Sequence, residues 1–549
     1  MRVLAVMGIS GLLGCSSLLG LSEEEGQASA GASSGASTSG ESSSGASTSG
    51  ASSSGASSSG ATPPGSSSSS GSSGVSPGAC LEGFVGAPPQ CEDGRTWSHE
   101  SEEQAANPDY GDRFGESLAV SADGTTMVVG ATRESSPATT VGGDTSNDEN
   151  GPGSGSGAAY VFAKEGGAWV QQAYVKPSDS VRFGSFGTAV ALSADGNTML
   201  ASSWVNEVSV NGSVVTPARA LVFVFVRTGS AWRELQILRG EATQKDQFGR
   251  ALAVSGDGKV LAVGAAFGPG AGGATGLVHV FRGNQDGFTL ATKITQPYSN
   301  TFGSAVALSH DGSSLLVGDP GEDSAGAGLG VVPADDGVQM SGAVSLFTES
   351  GGGYQPVGFF KASNAAQSAR FGNVVALAAD GRRFAVGAVN ESSASPGGGA
   401  PLNRSGAAYV FSNDGASWRE SFLKAPNART ELAFGTSLAL SANGSTLLVG
   451  APNDSSNASD VGGNMSDDRA PGRGAAYVFS PDGAGTWTHR AYLKPSTTGV
   501  DFEFGRSVGL SGTGAAAMVG ARDEGRLLPY GSVNVFAGTI PTAIDGGAP

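Results

Sequence analysis

A Phe-Gly pair recurs seven times along this chain and opens the same run of residues each time. After each pair come a short apolar segment, an Asp-Gly or related turn, a second apolar segment ending near Gly-Ala, and later a third such as GAAYVF. The pairs follow one another at offsets of 72, 62, 54, 69, 63 and 70 residues. A period this long, with several strands per unit, is typical of a closed propeller rather than a solenoid, so seven units predict seven blades. The pairs are Phe114-Gly115, Phe186-Gly187, Phe248-Gly249, Phe302-Gly303, Phe371-Gly372, Phe434-Gly435 and Phe504-Gly505.

The segment after each pair has the pattern of a strand with a large and a small apolar face. In the first unit Leu118 and Val120 form the large face, and small residues alternate with them. Blades converge towards the axis of a propeller, so a large face against a small face places this strand innermost. The lack of charge on both faces predicts burial on both sides. The following Asp123-Gly124 turn suits the positive φ of a tight hairpin, which returns the second strand beside the first.

An aromatic residue precedes the fourth strand of most units. Because it recurs at one position, packing between blades is favoured over a stacking site for sugars. These residues are Trp169, Trp232, Phe288, Tyr354, Trp418 and Trp487.

The seventh unit lacks a fourth strand of its own. Ahead of the first Phe-Gly pair stands Trp97, 17 residues before Phe114, the same spacing as between Trp169 and Phe186. Segment 95–104 is therefore predicted to complete the seventh blade and close the ring. The sequence predicts an all-β fold, a seven-bladed β-propeller of four-stranded antiparallel blades over residues 95–540, followed by a tail at 541–549.

The residues before the propeller divide into three segments. Residues 1–14 have the charged start and short apolar run of an export signal and are too short to span a bilayer. Residues 15–78 are dominated by Gly, Ser and Ala, which predicts a disordered linker that tethers the propeller. In segment 79–94, Cys80 and Cys91 flank turn-forming residues. In an exported protein this close pair predicts a disulfide, because a metal site needs more ligands.

Residues Leu12-Leu13-Gly14-Cys15 resemble the lipobox of bacterial lipoproteins. The resemblance implies cleavage before Cys15 and lipid on that cysteine, which attaches the protein to a membrane. The alternative is an ordinary secretory signal whose cysteine is incidental. Ser16 and Ser17 follow without an acidic residue, which favours a surface-exposed location on the outer membrane of a bacterial cell envelope.

The seven units resemble the FG-GAP repeat family, the seven-bladed propeller of integrin alpha chains, and more closely the bacterial exported proteins built of such repeats. The resemblance covers about residues 95–540. In integrin-type repeats the loop between the first and second strands often carries an Asp-x-Asp-x-Asp-Gly calcium site. Here that loop is a hairpin such as Ser121–Gly124, and one carboxylate in a tight turn cannot surround a calcium ion. This departure removes the usual metal site of the family.

Function is expected on the long loops between second and third strands, which a four-stranded meander gathers on one face. Two of these loops are rich in oxygen ligands for calcium or another hard cation; a solvated polar loop is the alternative, because neither loop holds a complete calcium motif. The loops span 132–156, 203–217, 266–274, 319–341, 389–404, 452–473 and 522–530. The weak candidate ligands are Asp144, Asn147, Asp148, Glu149 and Asn150 in the first unit, and Asp454, Asp460, Asn464, Asp467 and Asp468 in the sixth.

Other function classes find less support. The net charge of −18 argues against nucleic-acid binding, which depends on a basic surface. Lipid and a disulfide leave no thiol nucleophile, and no nucleophile elbow or phosphate loop is present. Carboxylates of a propeller hydrolase could come from distant loops and leave no local pattern, so this class stays the least favoured alternative. The four histidines, in different units, are His99, His279, His310 and His489.

The sequence thus predicts a lipid-anchored, surface-exposed propeller. It would act as a non-catalytic binding or adhesion module for protein or polysaccharide ligands through its long loops, with calcium as the one candidate cofactor. A structural component of the cell envelope is the alternative.

Overall fold

Seven four-stranded antiparallel sheets form the ring that the repeat predicts. The computed structural model describes residues 94–146, 154–205, 219–240, 247–266, 276–296, 301–328, 337–393, 400–496, 503–522 and 530–540, with Ser299 and the backbone of six short strands. The propeller lies within one compact unit spanning residues 74–549. Among the described residues there is no helix that could cross a membrane.

Each blade is a meander in which the strands pair in the order first, second, third and fourth. The first strands are Phe114–Val120, Val190–Leu192, Ala251–Val254, Ala305–Leu308, Phe371–Leu377, Ser437–Leu440 and Phe504–Leu510. The second strands are Thr126–Ala131, Thr198–Val205, Val260–Ala265, Ser314–Asp319, Arg383–Ala388, Leu447–Ala451 and Ala516–Ala521.

The outer half of each blade completes the sheet. The third strands are Ala158–Glu165, Arg219–Thr228, Leu277–Asn284, Ala343–Ser350, Ala407–Asn413, Ala475–Pro481 and Ser532–Thr539. The fourth strands of blades 1 to 6 are Ala168–Val175, Ala231–Arg239, Gly287–Thr295, Gly353–Phe360, Trp418–Leu423 and Trp487–Leu493. Three short antiparallel pairs lie outside the blades: Phe84–Val85 with Glu92–Asp93, Val208–Val210 with Ser213–Thr216, and Pro269–Gly270 with Gly273–Ala274.

The fourth strand of blade 7 comes from the other end of the chain. Thr96–Glu103 pairs antiparallel with Ser532–Thr539, and Trp97 lies opposite Gly538. This confirms the predicted closure by segment 95–104, with one residue fewer at each end. The propeller is therefore closed by pairing between strands more than 400 residues apart, which leaves the third strand of blade 7 with no open edge.

The apolar core is divided into seven clusters, one at each interface between neighbouring blades. The cluster between blades 7 and 1 combines Trp169 and Phe114 of blade 1 with Met518 and Val533 of blade 7. The recurring aromatic residues belong to these clusters, and all are buried except Trp418, which is partly exposed. The prediction that they pack between blades is confirmed.

The first strands are the innermost, as predicted, because they contact one another in a closed cycle around the axis. Their predicted burial on both sides is confirmed for blade 7, where six of the seven residues of Phe504–Leu510 are buried, and is wrong in part for the other blades. Most residues of the first strand Phe114–Val120 are partly exposed, whereas all six residues of the second strand Thr126–Ala131 are buried. The innermost strands line the centre of the ring, so solvent reaches them there.

The large face of each first strand packs on the small face of its neighbour. A Cβ placed on Gly509 of blade 7 would lie 2.4 Å from Val120 of blade 1. The alternation of large and small residues therefore allows the blades to converge near the axis, as the sequence indicates.

The Phe-Gly pair and the glycine of the second strand meet between blades. Gly187 has a φ of 86°, which favours glycine, and its carbonyl oxygen lies 2.1 Å from where a Cβ of Gly130 would be. At five other interfaces, a Cβ placed on the second-strand glycine would likewise lie 2.0 to 2.6 Å from the carbonyl oxygen of the Phe-Gly glycine of the next blade. Between blades 2 and 3, Ser202 occupies the position of the second-strand glycine. A Cβ placed on Gly249 would lie 3.0 Å from the Cβ of Ser202. The Phe-Gly pair that repeats in the sequence thus forms the contact that joins one blade to the next.

Hairpin turns between first and second strands are joined in a ring around the axis. Each turn donates a backbone hydrogen bond to the turn of the next blade, at 2.7 to 3.1 Å, and the last bond returns to blade 1. The side chain of Asp123 accepts hydrogen bonds from the Ser121 hydroxyl and the Thr125 N–H, which fixes the turn. The ring runs through Ala122, Ala194, Gly256 with Asp257, His310, Ala379, Ala442 and Gly512.

Candidate functional site: the loop face

The loops between second and third strands emerge on the face opposite the hairpin turns. At the end of the first loop, Gly157 forms a parallel bridge with Phe186 of the next blade, and the Phe186 N–H donates to Ser156 at 2.8 Å. Equivalent bridges join Gly342 to Phe371, Gly406 to Phe434 and Gly474 to Phe504. These loops are therefore fastened at their ends to the neighbouring blade and lie together on one face, which we call the loop face.

Four of the loops are also fastened by a buried ion pair within their own blade. A lysine that follows the fourth strand contacts a carboxylate that begins the loop, and no side chain in these pairs is more than 6 % exposed. Three of the lysines also donate to the serine that ends the loop, and Lys494 donates to the Gly474 carbonyl. The pairs are Lys176–Glu134 at 2.7 Å, Lys361–Glu322, Lys424–Glu391 at 2.8 Å and Lys494–Asp454 at 3.0 Å.

An asparagine from the preceding blade extends two of these pairs. Asn364 donates to Glu391 at 3.2 Å and accepts from the Tyr409 hydroxyl at 2.7 Å. Asn427 makes the same two contacts with Asp454 and Tyr477, at 3.0 and 2.8 Å. The buried network thus joins loop, blade and neighbouring blade.

The charges in this network are compensated. Burial alone would raise the pKa of Asp454, but Lys494 and the Tyr492 hydroxyl hold it below its usual range. A buried carboxylate with such partners stays ionised and is inaccessible to a ligand. We therefore assign these groups a structural role at the base of the loops.

The buried pairs were not predicted, although the sequence carries a pattern for them. Lysine follows the fourth strand in KPSD, KASN, KAPN and KPST, and an acidic residue with serine follows the second strand in ESS, EDS, ESS and DSS. Asp454 was grouped instead with candidate calcium ligands. Its burial against Lys494 shows that it belongs to the loop base.

The other described candidate ligands contact their own neighbours. Asp144 is exposed and accepts from the Ser146 N–H at 2.9 Å. Asp467 pairs with Arg469 at 2.7 Å, whereas Asp460 has a φ of 58° and its carbonyl accepts from the Lys494 N–H. Among the described residues, which include Asp468, no group of three His, Cys, Asp or Glu side chains is placed to hold a metal ion. Asn147, Asp148, Glu149, Asn150, Cys15, Cys80 and Cys91 lie outside the described residues, as do the predicted signal segment and linker.

The four histidines lie in four different places. His99 contacts Asn534 at 3.1 Å in blade 7, and His310 is exposed in a hairpin turn of blade 4. His279 packs on Phe248, and His489 packs on Phe479. They do not converge on a shared site.

A group of charged side chains lies where the first strands of blades 7 and 1 begin on the loop face. Glu116 of blade 1 contacts Arg506 at 3.2 Å and Arg522 at 2.8 Å, both in blade 7. Arg522 also contacts Glu503 at 2.8 Å. Although burial would raise the pKa of Glu116, these arginines hold it below its usual range. On this side of the axis the positive charges are matched by carboxylates.

Comparison with known proteins adds no relative: no protein-family model and no curated protein matches the chain. The geometry itself establishes the architecture, which is a seven-bladed β-propeller closed by an N-terminal strand. The ends of at least four loops on its loop face are bonded to the neighbouring blade.

Proposed function

We propose that the protein is a binding module of the FG-GAP type, displayed on a bacterial cell surface by lipid on Cys15. Protein or polysaccharide ligands would bind the loop face, and the module itself would be non-catalytic. The observation that carries the proposal is the arrangement of long loops on one face with their ends tied to the ring. Such loops present a ligand surface on a rigid support, which limits the entropy lost on binding.

The anchoring part of the proposal rests on the sequence. Cys15 follows an export-type segment, and the disulfide between Cys80 and Cys91 would close a loop ahead of the propeller. Replacing Cys15 with serine in the producing cell tests the anchor. We expect the wild-type protein to incorporate labelled palmitate and sediment with membranes, and the variant to do neither. Equal membrane association of both proteins would refute a lipid anchor.

The binding function is tested with the secreted form of the protein that begins after Cys15. We would screen it against glycans and envelope proteins, with and without calcium. The test variant replaces the side chains of Asp467, Asp468 and Arg469 in the blade 6 loop with serine, which changes neither Met465 nor the buried pair Lys494–Asp454. The matched control replaces Asp195, on the hairpin face, with asparagine.

We expect saturable binding that the loop variant weakens and the hairpin variant retains. Binding that both variants weaken equally would contradict a loop-face site. If no ligand binds in either condition, a structural role in the envelope replaces the proposal. If ligand binding requires calcium, the cation takes part in the binding site.

A further inference from the structure

The base of the blade 2 loop departs from the ion pair that fastens the loops of four other blades. In blade 1 that base consists of Lys176, Glu134 and Ser156. Counted from the paired strands, the corresponding positions of blade 2 hold Arg239, Asn206 and Arg219. The lysine and the serine are each replaced by an arginine, and the carboxylate is replaced by an amide. This base has therefore gained positive charge and lost its own anion.

A carboxylate reaches these arginines from the crossover that leads from blade 1 to blade 2. Asp179 occupies the position at which Asn364 and Asn427 join neighbouring blades elsewhere in the ring. Its Oδ1 accepts from Arg219 at 2.9 Å, and its carbonyl oxygen accepts from the same guanidinium at 2.7 Å. Arg239 lies 4.0 Å from the other carboxylate oxygen. One carboxylate is therefore shared by two arginines.

Arg239 is the cation that this arrangement leaves open to a ligand. Its side chain is 62 % exposed, whereas the lysines of the four buried ion pairs are at most 6 % exposed. Within the part of the chain that the structure describes, Asp179 is the one carboxylate within ion-pair distance of Arg239. An exposed pair at 4.0 Å compensates little of the positive charge. The carboxylate of Glu234 is already bonded to the N–H and the hydroxyl of Ser178, at 2.8 and 2.6 Å.

A second exposed arginine lies on the same crossover. Arg182 follows Asp179 by three residues, so their Cα atoms are at most about 11 Å apart. The guanidinium carbon of Arg182 lies 4.7 Å from the centre of the Phe183 ring, and this contact restrains the side chain. Arg182 forms no ion pair with a described residue. One extended ligand can therefore contact both Arg182 and Arg239.

The backbone of Phe183 is held in a conformation that costs free energy. Its φ is 58°, which is disfavoured for a bulky residue, and the same position of blade 1 holds Gly111 with a φ of 80°. The Phe183 N–H donates to the Ser154 carbonyl at 2.9 Å, which ties it to the end of the blade 1 loop. The ring is 38 % exposed beside Arg182. An aromatic residue retained where glycine suits the backbone points to a function for the ring and the arginine that it supports.

The surroundings favour a polysaccharide over a protein as the ligand. Among the described residues of blade 2 and its crossover, Phe183 is the one large apolar side chain that is exposed, and its ring carries Arg182. The centre of a protein interface is typically apolar and excludes water. A chain of sugar acids carries carboxylates among hydroxyls and can bind exposed arginines without an apolar pocket.

We infer that Arg182 and Arg239 form a binding site for the carboxylates of an acidic polysaccharide, on the loop face between blades 1 and 2. Asp179 and Arg219 hold the base of this site, and Phe183 orients Arg182. Each exposed guanidinium can donate two charge-assisted hydrogen bonds to one carboxylate. This inference rests on the proposed function and specifies the class of its ligand.

The test measures binding of a fluorescent oligomer of galacturonic acid to the secreted protein by anisotropy. A neutral galactose oligomer and a glutamate-rich peptide serve as competing probes. The test variants are Arg239→Gln and Arg182→Gln, each of which removes one exposed charge, and Arg239→Lys tests whether charge alone suffices. The matched control is Arg233→Gln, because Arg233 is exposed and lies near the opposite end of the strand that ends at Arg239.

We expect saturable binding of the galacturonic acid oligomer that weakens with salt and falls about tenfold in each of the two test variants. Arg239→Lys should recover part of the loss, and Arg233→Gln should bind as the wild type does. Equal loss in Arg233→Gln and Arg239→Gln, or no binding at millimolar oligomer, would overturn the site. Equal binding of the neutral oligomer would overturn the role of the carboxylates. Tighter binding of the peptide would overturn the choice of a polysaccharide.

Comparison with the ligand screen separates this inference from the proposed function. If a screened ligand binds the loop face equally in wild type and Arg239→Gln, the binding function stands and the arginine site fails. If the galacturonic acid oligomer binds through Arg239 but the blade 6 loop variant retains every interaction, the arginine site stands and the role of the blade 6 loop fails.

Discussion

At the scale of single residues, the glycine of the second strand sets how closely two blades approach. Replacing Gly264 with alanine would place a Cβ 2.0 Å from the Gly303 carbonyl oxygen of the next blade, so the backbone must move. We expect the free energy of unfolding to fall by about 2–3 kcal/mol, as for overpacking in other cores. Urea unfolding measures the change. Gly353→Ala is the control, because no atom lies within 4 Å of a Cβ placed there. Equal stability of the two variants would contradict the close approach.

The carboxyl group of Asp112 makes stability depend on pH. Burial, with Glu134 nearby, raises the pKa of Asp112 from 3.8 to about 7. The folded state therefore binds the proton more tightly than the unfolded state. Its contribution to stability is fully present below about pH 4 and is lost as the pH rises towards 7.

Replacing Asp112 with asparagine keeps an acceptor for the Asp109 N–H and removes the charge. Relative to the wild type, we expect the variant to gain about 2–4 kcal/mol between pH 4 and pH 8. Urea unfolding across this range gives the difference between the two proteins. Asp144→Asn, at an exposed site, should change the pH dependence little. A constant difference between wild type and Asp112→Asn would show that Asp112 titrates normally.

At the scale of the blade, the buried ion pairs hold the loop bases in place. Replacing Lys361 with methionine leaves Glu322 buried without its cation, and we expect a loss of about 3–5 kcal/mol in the free energy of unfolding. The double variant Lys361→Met with Glu322→Gln removes both charges and should recover part of that loss. Limited proteolysis within residues 325–340 should accelerate in the single variant. If the double variant is no more stable than the single one, the pair does not act as a compensated unit.

The order of strands within a blade was predictable because it depends on local patterns. Alternating apolar residues, Asp-Gly turns and the fixed spacing from tryptophan to Phe-Gly located the strands, including the displaced fourth strand around Trp97. The ion pairs were not predicted because Lys361 and Glu322 are 39 residues apart within one unit, and only the recurrence of both residue types in four blades relates them. The partial exposure of the first strands follows from the open centre of the ring. The alternation of residues along a strand does not predict whether that centre is open to solvent.

At the scale of the whole molecule, two features close the ring, at opposite ends of the blade. Near the axis, hydrogen bonds between hairpin turns run from blade to blade and return to blade 1. At the outer edge, Thr96–Glu103 joins Ser532–Thr539, and Trp97 enters the cluster between blades 6 and 7. The inner ring needs no residue from the N-terminal strand. Loss of that strand should therefore open an edge of blade 7 without removing the hydrogen bonds between turns.

Two truncations test this division. A protein that begins at residue 94 retains Thr96–Glu103, and we expect its melting temperature to equal that of the longer chain. A protein that begins at residue 105 exposes the edge of Ser532–Thr539 and loses the burial of Trp97, so its melting temperature should fall by roughly 5 °C or more. The exposed edge should also promote association between molecules, which gel filtration would detect. Adding a peptide of residues 94–104 should restore the melting temperature, because the peptide can pair with the open edge. If both truncations melt and elute alike, the closure by this strand contributes little to the stability of the ring, and the hydrogen bonds between the turns suffice to hold blade 7 in place.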